Sequence, residues 1–263
     1  MKRPALVALL LLWASAASAH DFWIETSTFH PWPGQIVMVG LRFGQDFVGE
    51  PVRRYSPEIA RFFVRQNGAD EDIEGADGIN PAGVMRAAGQ TTAILAYAST
   101  GTDIELPPQQ FEDYLRQYGL DDALAERIER GEHAKPGRER FYRYAKTLLA
   151  GGKTTPDVEK SLGLAYEIVP DADPTLRLGA FRGHILYNGK PLAGAFIEAL
   201  LHGEPSVRLK THSDAQGAFI FDLPRAGVWL IKSVHMVRAS YFAHEDWDSS
   251  WASLVFEAPA PAH

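Results

Sequence analysis

The stretch FRGHILYNGKPLAGAFIEALL, residues 181–201, decides how the chain folds. Phe181 to Tyr187 reads as a strand, and Asn188-Gly189 follows it at once. That dipeptide tolerates the left-handed backbone of a two-residue hairpin turn, which matches the twist of the strands it joins. Pro191 to Leu201 is then a second, strongly apolar strand. Downstream, Ser206 to His212 and Ala218 to Leu223 flank a second turn, Ser213-Asp214-Ala215-Gln216-Gly217. Asp214 there is expected to bond its own turn backbone. Gly227 to Val237 and Trp251 to Glu257 complete the series. Short strands at regular spacing with turn signals between them predict a Greek-key sandwich.

Upstream the pattern is similar, then breaks. Phe22 and Ile24 alternate with Trp23 and Glu25, and Gln35 to Phe43 is apolar on both parities, as an inner strand is. Ile59 to Gln66 and Thr91 to Ala98 are further strands, and 67–83, rich in Gly, Asp and Glu, reads as loop. After residue 106 the period changes. Phe111, Tyr114, Leu115 and Tyr118 lie at helical spacing before Gly119, and Asp121 is expected to cap a second short helix closed by Gly131. Phe141, Tyr144, Ala145 and Leu148 repeat the spacing, so a third helix is expected between Pro136 and Gly151. Arg138, Arg140, Arg143 and Lys146 would form its solvated face, or an anion or partner patch. The expected fold is therefore mainly β. It has two Ig-like or transthyretin-like β-sandwich parts, 20–106 and 164–257, with a small helical insertion at 107–163 and a frayed tail at 258–263.

The N-terminal end has the form of an export signal. Lys2 and Arg3 precede an uncharged apolar run from Ala5 to Trp13, and Ala17-Ser18-Ala19 offers a cleavage site, giving a signal peptide of residues 1–19. The run is too short to span a bilayer, so the mature chain is expected to be periplasmic and not membrane-spanning. The chain has 263 residues, a net charge of -7 and no cysteine. Nucleic acid is a poor partner for an acidic surface. In an oxidising compartment the fold must stand without disulfides, and thiolate metal sites and cysteine nucleophiles are excluded.

Cleavage after Ala19 would make His20 the first residue, with an α-amine and an imidazole on one side. Both are nitrogen donors, and together they suit nickel, cobalt, copper or zinc. Phe22 stands at mature position three, so a square-planar site that needs histidine there is absent. His235, in the apolar run Val234-His235-Met236, is the candidate for a further nitrogen, and Asp21 is a weaker third ligand; the bland alternative for His235 is a core histidine. His212 with Asp214, and the acidic loop His244, Glu245, Asp246 and Asp248, are lesser possibilities. Trp23, Trp32, Trp229, Trp247 and Trp251 suit a sugar platform or, more commonly, a core. No hydrolase, zinc-protease, phosphate-loop or dinucleotide motif occurs, so an enzyme is not expected.

Two resemblances sharpen these expectations. Residues 188–195, 211–219 and 223–229 resemble a transthyretin-like or carboxypeptidase-regulatory sandwich, which specifies a fold and no chemistry. Over nearly the whole mature chain the sequence resembles the DUF4198 family. The matching stretches are His20 to Glu25, Ile104 to Pro107, Pro136 to Lys146, Leu164 to Pro170, Val234-His235-Met236, and Trp247 through Trp251 to Leu254. The resemblance implies a periplasmic component of nickel or cobalt uptake, with a membrane metal transporter as partner. A metal-free interaction module and an N-terminal-histidine copper oxidative enzyme are the alternatives.

Overall fold

The computed structural model describes residues 20–260, so the expected signal peptide and the last three residues of the tail lie outside the described residues. The first part contributes β1 (Asp21–Thr26), β2 (Ile36–Gln45), β3 (Val48–Val52), β4 (Ile59–Gln66), β5 (Ala69–Asp72), β6 (Gly83–Arg86), β7 (Ala93–Ser99) and β8 (Thr102–Leu106). Helices α1 (Pro108–Gln117) and α2 (Asp121–Glu129) follow, then β9 (Gly137–Leu149). The remainder is β10 (Tyr166–Pro170), β11 (Ala180–Tyr187), β12 (Lys190–Pro191), β13 (Phe196–Leu201), β14 (Arg208–His212), β15 (Ala218–Asp222), β16 (Gly227–Arg238) and β17 (Trp247–Ala258).

These strands make three sheets. The central one runs β14-β13-β16-β17-β9-β7-β4-β5, with β8 beside the first residues of β9. It draws on both halves of the chain, joined where β17 lies parallel to β9. One smaller sheet holds β1-β2-β3 with β6 beside β2, and the other β10-β11-β12 with β15 beside β11.

Alternation along the central strands sends neighbouring residues to opposite faces. Phe62, Val64, Leu95, Tyr97, Ala145 and Leu149 pack against Phe22, Ile24, Val37, Val39 and Leu41 of the first small sheet. Their neighbours Phe63, Ile94, Ala96 and Leu148 face the other way, with Trp229, Ile231, Leu254 and Phe256, onto Ile168, Phe181, Ile185 and Phe219. The two small sheets thus cover opposite faces of the central sheet, and each large side chain so buried contributes about 1.5–3 kcal/mol. Helices α1 and α2 extend the first face, with Phe111, Tyr114 and Leu115 on Val234, Met236, Trp247 and Trp251. Of the five tryptophans weighed as a sugar platform, four are core and only Trp32 is exposed.

The expected mainly β architecture is what the chain adopts, with two sandwiches sharing one long sheet. Asn188 and Gly189 have φ of 50° and 73° and turn β11 into β12. Gly119 ends α1 at φ 63°, where an added Cβ would also strike the Phe196 ring at 2.7 Å. Two expectations fail. The third helix is β9, a 13-residue strand that joins the two halves. Both faces of β9 are covered, so apolar and aromatic residues occur at both parities, and within such a run helical spacing arises without a helix. Its basic residues accordingly share no helix face. Arg138 pairs with Asp246, Arg140 with Asp103, Arg143 lies over the rings of Phe22 and Phe141, and Lys146 is buried on Glu167. Within the expected 67–83 loop, β5 pairs with β4 and Glu74 bridges to Val84.

Candidate functional site

The site is built where β1 crosses the junction of the two halves. β1 pairs with β2 from Asp21 opposite Gly44 to Thr26 opposite Val39. Its far side is tied to β9 by the Thr147 hydroxyl, which donates to the Ile24 carbonyl at 2.8 Å. At its start, both carboxylate oxygens of Asp21 accept from Lys232 Nζ at 2.8 Å, and Tyr118 donates to Oδ1 at 3.2 Å. Lys232 Nζ also lies 3.2 Å from Glu198, which is 3.3 Å from both Arg208 and Lys210. Arg208 reaches on to Asp46 at the β2–β3 turn. Asp21, Tyr118, Glu198 and Lys232 are all buried. Burial pushes the Asp21 carboxyl above the ordinary carboxylate range, with Lys232 pulling it back. Burial and the Asp21 charge raise the Tyr118 phenol, which stays a donor.

His20 stands one residue before this anchor. It is half-buried, with its ring 5.0 Å from that of Phe43. Its backbone position is set by the pairing and ion pair that begin at Asp21.

The three residues proposed as metal ligands do not converge. Asp21 is engaged by Lys232 and Tyr118. His235 lies on the other face of β16: Lys232, Val234 and Met236 face β1 and the helices, whereas Ser233 bonds Tyr166 and His235 packs edge-on against Tyr187 at 4.6 Å. Burial holds the His235 imidazole below its ordinary pKa and so in the neutral form. Among the described residues no group of three or more His, Asp or Glu is placed to hold a metal ion. The fit to a transition metal is thus partial, resting on the imidazole of His20. The lesser possibilities have other partners. Asp214 accepts from the amides of Gln216 and Ala218, as a turn residue does, and the His212 ring packs on Phe196.

Two more buried polar groups flank the junction. On the β10 side, Lys146 donates to Glu167 at 2.9 Å. Burial opposes ionisation of Glu167, but Lys146, the Leu162 amide and Ser161 outweigh it and hold the carboxyl below its usual range. On the helix side, Glu139 accepts from Tyr114 at 3.1 Å and from Ser249, and burial pushes its pKa up to about 7.

The sequence did carry a signal for these clusters. Lys232 in LIKSV, Glu198 in FIEAL, Lys146 in YAKTL and Glu167 in AYEIV are charges inside apolar strands. Such charges need buried partners of opposite sign.

Fold and site together define a β-sandwich protein whose two halves share one sheet and are locked by buried ion pairs at its first strand. The chain belongs to the family described as Domain of unknown function (DUF4198), whose model matches residues 17–237. No curated protein matched the sequence. Among solved structures it is similar to the D0-D1 domain of Intimin at 10% identity, over 90% of this chain and 97% of that one. The TM-score is 0.20, at which the likeness carries no argument. No helix among the described residues is long and apolar enough to cross a membrane.

Proposed function

We propose that this chain is an exported carrier that holds a transition-metal ion at a histidine terminus and yields it to a membrane transporter. The observation that carries the reading is the placement of His20. Strand pairing and the Asp21–Lys232 ion pair fix the backbone immediately after it. Cleavage after Ala19 then leaves an amine and an imidazole on a rigid edge of the fold. Two nitrogens make an incomplete coordination sphere, so the remaining ligands come from water or from the partner, which suits an ion that is passed on. Nickel or cobalt as cargo and the periplasm as compartment rest on the family resemblance and the leader; copper and zinc suit the same donors.

The test is calorimetric titration of nickel, cobalt, copper and zinc into protein beginning at His20, beside protein retaining Ala19. Chelation predicts at least tenfold weaker binding once the amine is acylated. Equal binding by both removes the carrier reading.

A second reading, a metal-free interaction module, is favoured by the β16–β17 loop. There Tyr241 and Phe242 are more than nine-tenths exposed and lie edge to face at 5.4 Å. Paired exposed aromatics of this kind anchor protein contacts.

A further inference from the structure

A cleft of about 340 Å³ lies on the other side of β1 from the first core, between the β2–β3 turn and the ends of β16 and β17. Its walls are Trp23, Phe29, Phe47, Val228 and Val255. Its polar lining includes Glu25 and Arg42, which face each other with Arg42 Nε 2.8 Å from Glu25 Oε2. Trp23 is opposite Arg42 and Glu25 opposite Gly40 across the β1–β2 pair, so the indole, the carboxylate and the guanidinium share one face.

The wall is built at a cost in backbone conformation. Asp46 and Phe47 form the β2–β3 turn with φ of 54° and 60°. Asp tolerates this region, but a bulky aromatic rarely enters it, and strain of this kind gathers at ligand sites. Phe47 is held there by its ring, which meets Trp23 edge-on at 5.3 Å and His202 edge-on at 5.2 Å. Gly49 permits the arrangement, since a Cβ there would come within 2.5 Å of the Trp23 ring.

We infer that this cleft binds a free aromatic α-amino acid, its ring against Phe29, His202 and Val228 in the open part of the cleft and its ammonium and carboxylate on Glu25 and Arg42. The volume suits one small molecule. Phe29 and His202 keep part of their rings exposed in the lining, and aromatic rings pack on such edges and faces. The two opposite charges at close range complement a zwitterion, whereas a lone anion or cation would meet repulsion from one of them. The Arg42–Glu25 pair is partly exposed, at 28% and 50% of the side chains, so exchanging it for a ligand sacrifices little.

The inference is independent of the metal reading, and its test is run in excess EDTA so that metal–amino-acid complexes at His20 play no part. L-Phenylalanine and L-tryptophan are titrated into mature protein by calorimetry and saturation-transfer NMR. Phenethylamine, 3-phenylpropionate and glycine are run as analogues lacking the carboxylate, the amine and the ring. For a ligand of this size a dissociation constant on the order of 0.1–1 mM is expected. Each analogue should bind at least tenfold more weakly, and Glu25→Gln and Arg42→Gln should each weaken L-phenylalanine by a similar factor. Val228→Trp, which fills the cleft, should abolish binding. No saturable binding by 10 mM, about tenfold above that expectation, overturns the inference. So does equal binding of the analogues, a result the unmodified protein gives whether or not the variants fold.

Discussion

Lys232 Nζ sits 2.8 Å from both carboxylate oxygens of Asp21, a residue 211 positions earlier in the chain. The pair joins the first strand of one sheet to the middle of another and is buried at both ends. A buried ion pair is costly to break from one side, because the survivor is left charged and unsolvated. Lys232→Met removes the cation from both Asp21 and Glu198, and is expected to cost about 3–5 kcal/mol. Adding Asp21→Asn should recover part of that loss, since the orphaned carboxylate is then gone. Urea unfolding followed by circular dichroism measures both, and a single-variant cost under about 1 kcal/mol, the range of an exposed pair, contradicts the described burial.

That relationship also shows what was readable beforehand. The hairpin at Asn188-Gly189, the strands around it and the two short helices are legible because they depend on local chemistry: turn residues, the glycines that end the helices, and periodicity; the cap expected of Asp121 does not form, since Leu120 precedes α2 and no side chain bonds its first turn. β9 resembles a helix in one dimension because it is covered on both faces and so carries two apolar parities. The small strand β3 carries no signal of its own, because its residues, VGEPV, are mostly exposed and hold no alternation. Lys232 inside LIKSV announced that a carboxylate must be near, but not which one. Spacing in sequence cannot rank partners brought together by a crossover between sheets, and the same limit hides that His235 and His20 lie on different faces.

Glu139 gives the stability of the protein a pH dependence of definite sign. Its carboxyl is buried and titrates at about 7, against an ordinary value of 4.5. The folded chain therefore holds a proton that the unfolded chain has already released between those two values. Stability from this group is full below about pH 4.5 and declines as pH rises through 7. The shift corresponds to an upper bound of about 3 kcal/mol. Glu139→Gln keeps the hydrogen bonding with no titration, so the urea midpoint of the variant should fall less between pH 5 and pH 8, roughly the window that brackets the shift. A slope unchanged by the substitution would assign the pH dependence to other groups.

His235 offers the sharpest separation between sequence proximity in type and proximity in space. It lies against Tyr166 and Tyr187 on the face of β16 opposite Lys232, while His20 lies against Phe43 beside β1. Replacing it by phenylalanine preserves an aromatic ring in an aromatic setting, and its neutral imidazole has no charge to lose. His235→Phe should therefore leave the nickel and cobalt isotherms within about twofold of the parent, which is under 0.5 kcal/mol. His20→Ala removes the imidazole half of the chelate and should weaken the same isotherms at least tenfold, about 1.4 kcal/mol or more. Should His235→Phe weaken metal binding as much as His20→Ala, the two histidines act on one ion and the sheet does not separate them.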